Sequence, residues 1–176
     1  MFGCSKDVPK DQLIERGGVY YEINSSTPFN GTSLRYYDNG QLKFKRNYIE
    51  GKEHGIHESY FENGQLRYSA NYIDGKRDGL YEEFFDNGQL VTMNNYKDGK
   101  RDGLQLEYHE NGQLYGKGRF FNGEMIIQEC FNKDGEKKYI RLFYETGEIL
   151  SEINYENGEV ISRKCWNGDG NEIKCE

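Results

Sequence analysis

Asn-Gly-Gln-Leu occurs four times in this chain, with its glycine at Gly40, Gly64, Gly88 and Gly112, so every interval is 24 residues. A period of this length marks a repeat architecture, in which each unit is one supersecondary element that buries its apolar side only by stacking on its neighbours. Two further glycine series keep the same interval, Gly51, Gly75, Gly99 and Gly123, and Gly31, Gly55, Gly79 and Gly103. Side chains keep it too. An aromatic stands eight residues after the first glycine, at Tyr48, Tyr72, Tyr96 and Phe120, and a second series runs Tyr36, Tyr60, Phe84 and Tyr108.

Each unit reads as two strands and two turns. Asn39-Gly40 and its copies are the strongest short hairpin signal, because both residues tolerate positive φ at the centre of a two-residue turn. After that turn Leu42, Phe44 and Tyr48 share one face at period two, interrupted once by Arg46, while Gln41, Lys43, Lys45 and Asn47 take the other. The next turn is Glu50-Gly51-Lys52, or Asp74-Gly75-Lys76-Arg77-Asp78-Gly79, and a second strand such as 79–85 follows. Helix is excluded within the repeats, since glycine recurs every few residues and each costs about 1 kcal/mol in a helix interior. The 35% hydrophobic content is too low for one deep core, yet 15 Tyr, 10 Phe and 1 Trp are too many for a disordered chain. The expected fold is therefore all-β, an elongated repetitive antiparallel meander of two-stranded, 24-residue units.

The ends depart from the period. Residues 1–16 read as a polar tail or tether, and 17–176 as a single repeat domain. Within that domain, 17–30 form an opening half-unit around the strand Val19–Ile23, and 31–126 hold four full repeats. The remainder, 127–176, reads as degenerate repeats and a closing hairpin. The period fails at Ile127, which occupies the slot of Gly103, and partly recovers at Gly147, with Gly158 eleven and Tyr155 eight residues later.

The run Tyr-x-x-Asn-Gly-Gln-Leu, an aromatic eight residues after that glycine, and then Asp-Gly-Lys-x-x-Gly resembles the bacterial variant of the MORN repeat. It is most similar to the YwqK-type family, whose members are catalogued as antitoxin components of toxin-antitoxin systems. The resemblance covers about residues 18–175. It implies a non-enzymatic binding module for a protein partner, including a cognate toxin, or, as in eukaryotic MORN relatives, one that works near membranes. The family motif defines no binding residue.

The recurrent rings Tyr36, Tyr48, Tyr60, Tyr72, Phe84, Tyr96 and Tyr108 read first as a core ladder; any exposed part of it is the candidate partner-binding strip. Phe2-Gly3-Cys4-Ser5 is similar to the end of a lipoprotein signal, which makes Cys4 a candidate for lipidation and favours the cell envelope over the cytoplasm. Only three residues precede Cys4, and an uninvolved terminal cysteine fits equally. A Cys165–Cys175 bridge would close the last hairpin in an oxidising compartment, leaving Cys130 single. His54 and His57 have metal-like spacing, but one sits in a turn and the other at the start of a strand with no third ligand nearby, and they read as solvated; His109 stands alone. Asn167–Glu172 is calcium-like in composition only, and reads as a charged turn. The basic turns Lys76-Arg77-Asp78 and Lys100-Arg101-Asp102 read as solvated. No catalytic constellation or cofactor motif is present. A net charge of −7 argues against a nucleic-acid binder, which needs a basic face. The expectation is a protein-binding module, antitoxin or immunity-like; the alternative is an envelope lipoprotein scaffold.

Overall fold

The computed structural model describes residues 6–175, which fold into strands joined by tight turns; the one helical segment among them is the 3-10 turn Lys10–Gln12. The chain forms two compact units, 1–88 and 89–176. In the first, the strands are β1 (Lys6–Pro9), β2 (Leu13–Arg16), β3 (Val19–Glu22), β4 (Gly31–Tyr36), β5 (Leu42–Ile49), β6 (Lys52–Glu53), β7 (Gly55–Tyr60), β8 (Leu66–Ile73) and β9 (Lys76–Phe84). The sheet runs β1-β4-β5-β7-β8-β9, with β6 also on β5, while β2 and β3 pair as a separate hairpin. All these pairs are antiparallel except β1 with β4. The second unit holds β10 (Leu90–Lys97), β11 (Lys100–Tyr108), β12 (Leu114–Phe121), β13 (Glu124–Phe131), β14 (Lys137–Phe143), β15 (Ile149–Glu156), β16 (Glu159–Trp166) and β17 (Glu172–Ile173), each antiparallel to the next.

Two turn types alternate, and they reverse the expected assignment. Both residues are left-handed at Glu50-Gly51, Asp74-Gly75, Asp98-Gly99, Asn122-Gly123 and Asn157-Gly158, so these are the two-residue hairpin turns that match strand twist. The Asn-Gly sites are five-residue loops instead. Tyr37 N–H donates to Gln41 O and Gly40 N–H to Tyr37 O, with Gly40 left-handed at φ 84°. Asn39 stays at negative φ because its side-chain oxygen accepts the Gln41 N–H at 2.9 Å, a local bond that fixes the loop from within. The 37–41, 61–65 and 109–113 loops each end in a register step. Arg35 pairs with Phe44 but Tyr36 with Leu42, so the period-two alignment of Leu42 with Phe44 and Tyr48 breaks there. Gly79, expected to open its strand, lies inside β9, where the register jumps from Ala70↔Tyr81 to Tyr72↔Arg77.

Residues 6–16, read above as a tail or tether, are folded. Val8 on β1 and Leu13 on β2 are buried with Phe29 and Tyr48 in the one apolar core cluster among the described residues, and Tyr20 packs against it. The hairpin is tied to the first repeat by backbone bonds: Tyr20 N–H donates to Gly51 O, and Gly51 N–H to Phe29 O, each at 2.8 Å. A thin sheet buries little on its own, so the chain ahead of the first repeat supplies a second layer.

The irregular stretch after Gly123 also has a structural cause. The loops at 132–136 and 144–148 are both of the five-residue type, so β14 is a single extra strand between two loops of one kind. Strand direction still alternates. The Gly147 and Gly170 loops therefore emerge on the edge that carries the Gly99 and Gly123 turns, opposite the Gly112 and Gly135 loops. The faces exchange as well. Register carries Gly118 to Gln128, Arg141 and Glu152 on one face, and Tyr155, adjacent to Asn154, points to the other, although it occupies the repeat position of Phe120.

Candidate interaction surface

Strand alternation sorts the recurrent side chains onto two faces. In the first unit one face carries Ser33, Arg46, Tyr48, His57, Ala70, Tyr72 and Tyr81. The opposite face carries Ile49, Ile56, Ile73 and Leu80, and also Tyr36, Tyr60 and Phe84, each of which follows a residue of the first face. The seven predicted rings therefore form no single strip. Tyr48 and Tyr72 lie on the packed face near the two-residue turns; Tyr36, Tyr60 and Phe84 lie on the other, near the five-residue loops. In the second unit Tyr96 and Tyr108 divide in the same way.

The packed face of the first unit is a closed array of rings. Tyr48, 2% exposed, has its ring centroid 5.0 Å from Tyr20, 5.7 Å from Phe29 and 6.1 Å from His57, and His57 stacks on Tyr72 at 4.4 Å. His57, expected at the start of a strand but solvated, is 1% exposed and belongs to this core. Its Nε2 lies 3.0 Å from Asn47 O, and its Nδ1 lies 3.8 Å from Glu53 Oε1, which is also 3.7 Å from Arg46 Nη1. Burial lowers the His57 pKa to about 4, and the nearby Arg46 cation adds to the effect, against the opposing hydrogen bond that the ring donates to Asn47 O. Burial likewise pushes the Glu53 carboxyl up, opposed by Arg46. The imidazole is neutral at pH 7, so its Nε2–H donates to the carbonyl. His54 faces Asp74 at 3.8 Å, and no three metal-ligating side chains converge among the described residues.

The other face is open. Ile56 is 55% exposed and Ile49 50%, and Ile73 and Leu80 are exposed beside them. Asn47 and Asn71 separate these aliphatics and are spent internally, Asn47 Nδ2 donating to Ile56 O and Asn71 Nδ2 to Asp78 O, each at 2.6 Å. The surface thus presents aliphatic side chains among amides already satisfied, which suits desolvation by a partner. The row was visible in the sequence, where Ile56, Leu80 and Leu104 recur at 24 residues, as do Ile49 and Ile73.

Of the remaining predicted residues, Cys4 lies outside the described residues. Cys165 and Cys175 form a disulfide with Cα atoms 5.4 Å apart, and Cys130 is free. In the calcium-like turn, Asn167 Oδ1 accepts the N–H of Asp169 and of Asn171, so it serves the loop.

The MORN repeat variant family matches residues 29–50, 53–74, 77–98, 101–122 and 133–157, together more than half of the chain. The chain belongs to this family. The first four matches keep the 24-residue interval, and the fifth begins inside the 132–136 loop and runs across β14 and the 144–148 loop. MORN repeats are generally protein- or membrane-binding modules. No curated protein matches the chain. Among solved structures, a mutant of S. aureus TarM in complex with Fondaparinux, alpha-GlcNAc-glycerol and UDP is similar over 55% of this chain and 19% of its own, at 17% identity and a TM-score of 0.38. A second TarM structure gives 18% identity and 0.37 over the same shares. This chain thus spans about a fifth of those proteins, and TM-scores so low assign neither fold nor function.

Proposed function

We propose that this MORN repeat protein is a non-enzymatic protein-binding module, and that it docks its partner on the aliphatic face of the first unit. The observation that carries the reading is the exposed set Ile49, Ile56, Ile73 and Leu80, opposite a face that is already filled. Repeat phase places these side chains side by side, and burying them under a partner supplies the apolar core of an interface. The net charge of −7 favours a basic partner, because complementary potentials speed encounter and exclude wrong proteins. A basic toxin neutralised by an acidic antitoxin or immunity protein is the partner class that fits. The envelope-lipoprotein alternative rests on Cys4 alone.

The test is co-expression with any candidate toxin found encoded beside this chain, for wild type and for Ile56→Asp with Leu80→Asp. Wild type rescues growth and co-purifies with the toxin; the double variant does neither and keeps its thermal transition. Failure of wild type to rescue, or rescue by the correctly folded double variant, contradicts the reading.

A further inference from the structure

One asparagine position binds the repeats internally until the fourth copy replaces it. Asn47 Nδ2 donates to Ile56 O, Asn71 Nδ2 to Asp78 O and Asn95 Nδ2 to Leu104 O, each to a strand paired with its own. Twenty-four residues after Asn95 stands Arg119. Among the described residues it makes neither that bond nor an ion pair. The fold does not ask for a cation there, since three copies close the same strand pair with an amide. Lys117, two residues earlier on β12, likewise replaces Met93 and Ser69 of the preceding copies.

Register shows what surrounds the two cations. Arg119 lies in the cross-strand row Leu104–Arg119–Ile127–Leu142, and Lys117 in the next, Lys117–Glu129–Ile140–Ile153–Arg163. Lys117, Arg119 and Phe121 are the exposed side chains of their strand face, with Phe121 67% exposed. A groove of about 370 Å³ follows Lys117 and Arg119 between Leu104 and Ile127. Glu129 is the one carboxylate in the two rows, and it is already engaged: Lys137 Nζ lies 2.8 Å from it and Lys117 Nζ 3.5 Å. Glu124, opposite Phe121, marks the turn end of the patch.

This patch is cationic in a chain with 30 acidic and 23 basic residues. At physiological ionic strength charges beyond about 8 Å are screened, so the two rows, and not the net −7, decide what docks on them. An ammonium and a guanidinium two residues apart on one strand, about 7 Å, match two carboxylates at the same spacing on an extended peptide. Leu104, Ile127, Leu142 and Phe121 match apolar side chains beside those carboxylates. A long polyanion such as a nucleic acid would also meet the excess acidic side chains outside the patch, whereas a short peptide segment ends within it. We infer that Lys117 and Arg119 centre a docking surface on the second unit for a segment of a partner protein that combines Asp or Glu with apolar residues. This surface is separate from the aliphatic face of the first unit and stands whether or not a basic partner docks there.

The test is selection of a displayed random peptide library on the immobilised full chain, followed by fluorescence anisotropy of the enriched peptides. An oligothymidine and phosphatidylserine vesicles serve as competitors. Enriched peptides should carry Asp or Glu among apolar residues, and Lys117→Glu with Arg119→Glu should weaken their binding ~10-fold or more. Should repulsion from Glu129 disturb the sheet in that variant, Lys117→Gln with Arg119→Gln carries the same expectation. Ile56→Asp with Leu80→Asp should bind these peptides as wild type does. A selection that enriches no acidic peptide, undiminished affinity in the folded variants, or displacement by the oligonucleotide or the vesicles at lower concentration than by unlabelled peptide overturns the proposal. Loss of binding only in the Ile56 and Leu80 variant would also overturn it, while supporting the docking face of the first unit.

Discussion

The two units share one repeat and use its equivalent face differently. In the first, that face is filled by Tyr48, His57 and Tyr72 and covered by the β2–β3 hairpin, so a sheet has acquired a core. In the second it carries Thr92, Asn94, Gln105, Gln128 and two glycines, held by polar links such as Asn94 Nδ2 to Thr92 Oγ1 at 2.9 Å and Arg141 Nε to Glu152 Oε2 at 2.6 Å. The lesson is that the motif specifies hairpins and leaves the faces free. Left-handed turn residues and loop-closing bonds recur in both units, and what the strands display between them varies.

The largest test of this contrast is Tyr48→Ala against Tyr96→Ala, equivalent positions in the two units. Tyr48 is buried beneath the hairpin, and its loss should cost about 3–5 kcal/mol in urea denaturation. Tyr96 is half-buried, and its loss should cost about 1–2 kcal/mol. Equal costs would mean that the cap contributes little.

Next in size is Gly51→Ala against Gly123→Ala. Both positions are left-handed, but a Cβ at Gly51 would collide with Val19 Cγ1 and lie 2.6 Å from Tyr20 O, whereas one at Gly123 meets only Lys100 side-chain atoms at 3.6 Å. The first should lose about 3 kcal/mol or more and the second about 1–2. A similar loss in both would detach the hairpin from the first repeat.

Acidification sharpens the comparison further. His57 titrates at about 4 in the folded chain and near 6.5 unfolded, so between these values the unfolded state binds the extra proton. Stability therefore rises with pH across that window and falls on acidification, by up to about 3 kcal/mol. Glu53 acts in the opposite sense. Its folded pKa is raised by burial, so just above 4.5 the folded state binds the extra proton and gains stability as pH falls. Urea midpoints should drop from pH 7 to pH 5 in wild type and drop less in His57→Phe. An unchanged slope in that variant would place the pH sensitivity elsewhere.

The smallest effect is expected from reducing Cys165–Cys175. Only Cys165↔Ile173 and Trp166↔Glu172 pair β17 to β16, so reduction should release β17 while the urea midpoint moves by about 1 kcal/mol or less. A large shift would make the bridge a global staple.

Much of this fold was legible because turns are local chemistry. A glycine period of 24 residues specifies where the chain reverses whatever the strands carry, and it led to the all-β meander. The turn types were misassigned because Asn39 and its copies bond their own loop, while Glu50 and Asp74 take up the left-handed conformation that Asn-Gly advertises. The folded 6–16 segment was hidden for another reason. Val8, Leu13 and Phe29 are too scattered to show periodicity, and only a partner surface around Tyr48 makes them a core. The interaction surface was half legible: the rings marked which positions recur, but strand parity, which a single bulge alters, decides the face of each. The exchange of faces after β14 could not be read from spacing alone.

Native-state hydrogen exchange of the full chain tests most directly the claim that one scaffold carries a capped core in one unit and an open polar face in the other. The slowest amides should lie in β5, β7 and β8 around Tyr48, His57 and Tyr72, with β11 to β13 exchanging through smaller openings. Equal protection in both units, or greater protection in β11 to β13, would contradict it.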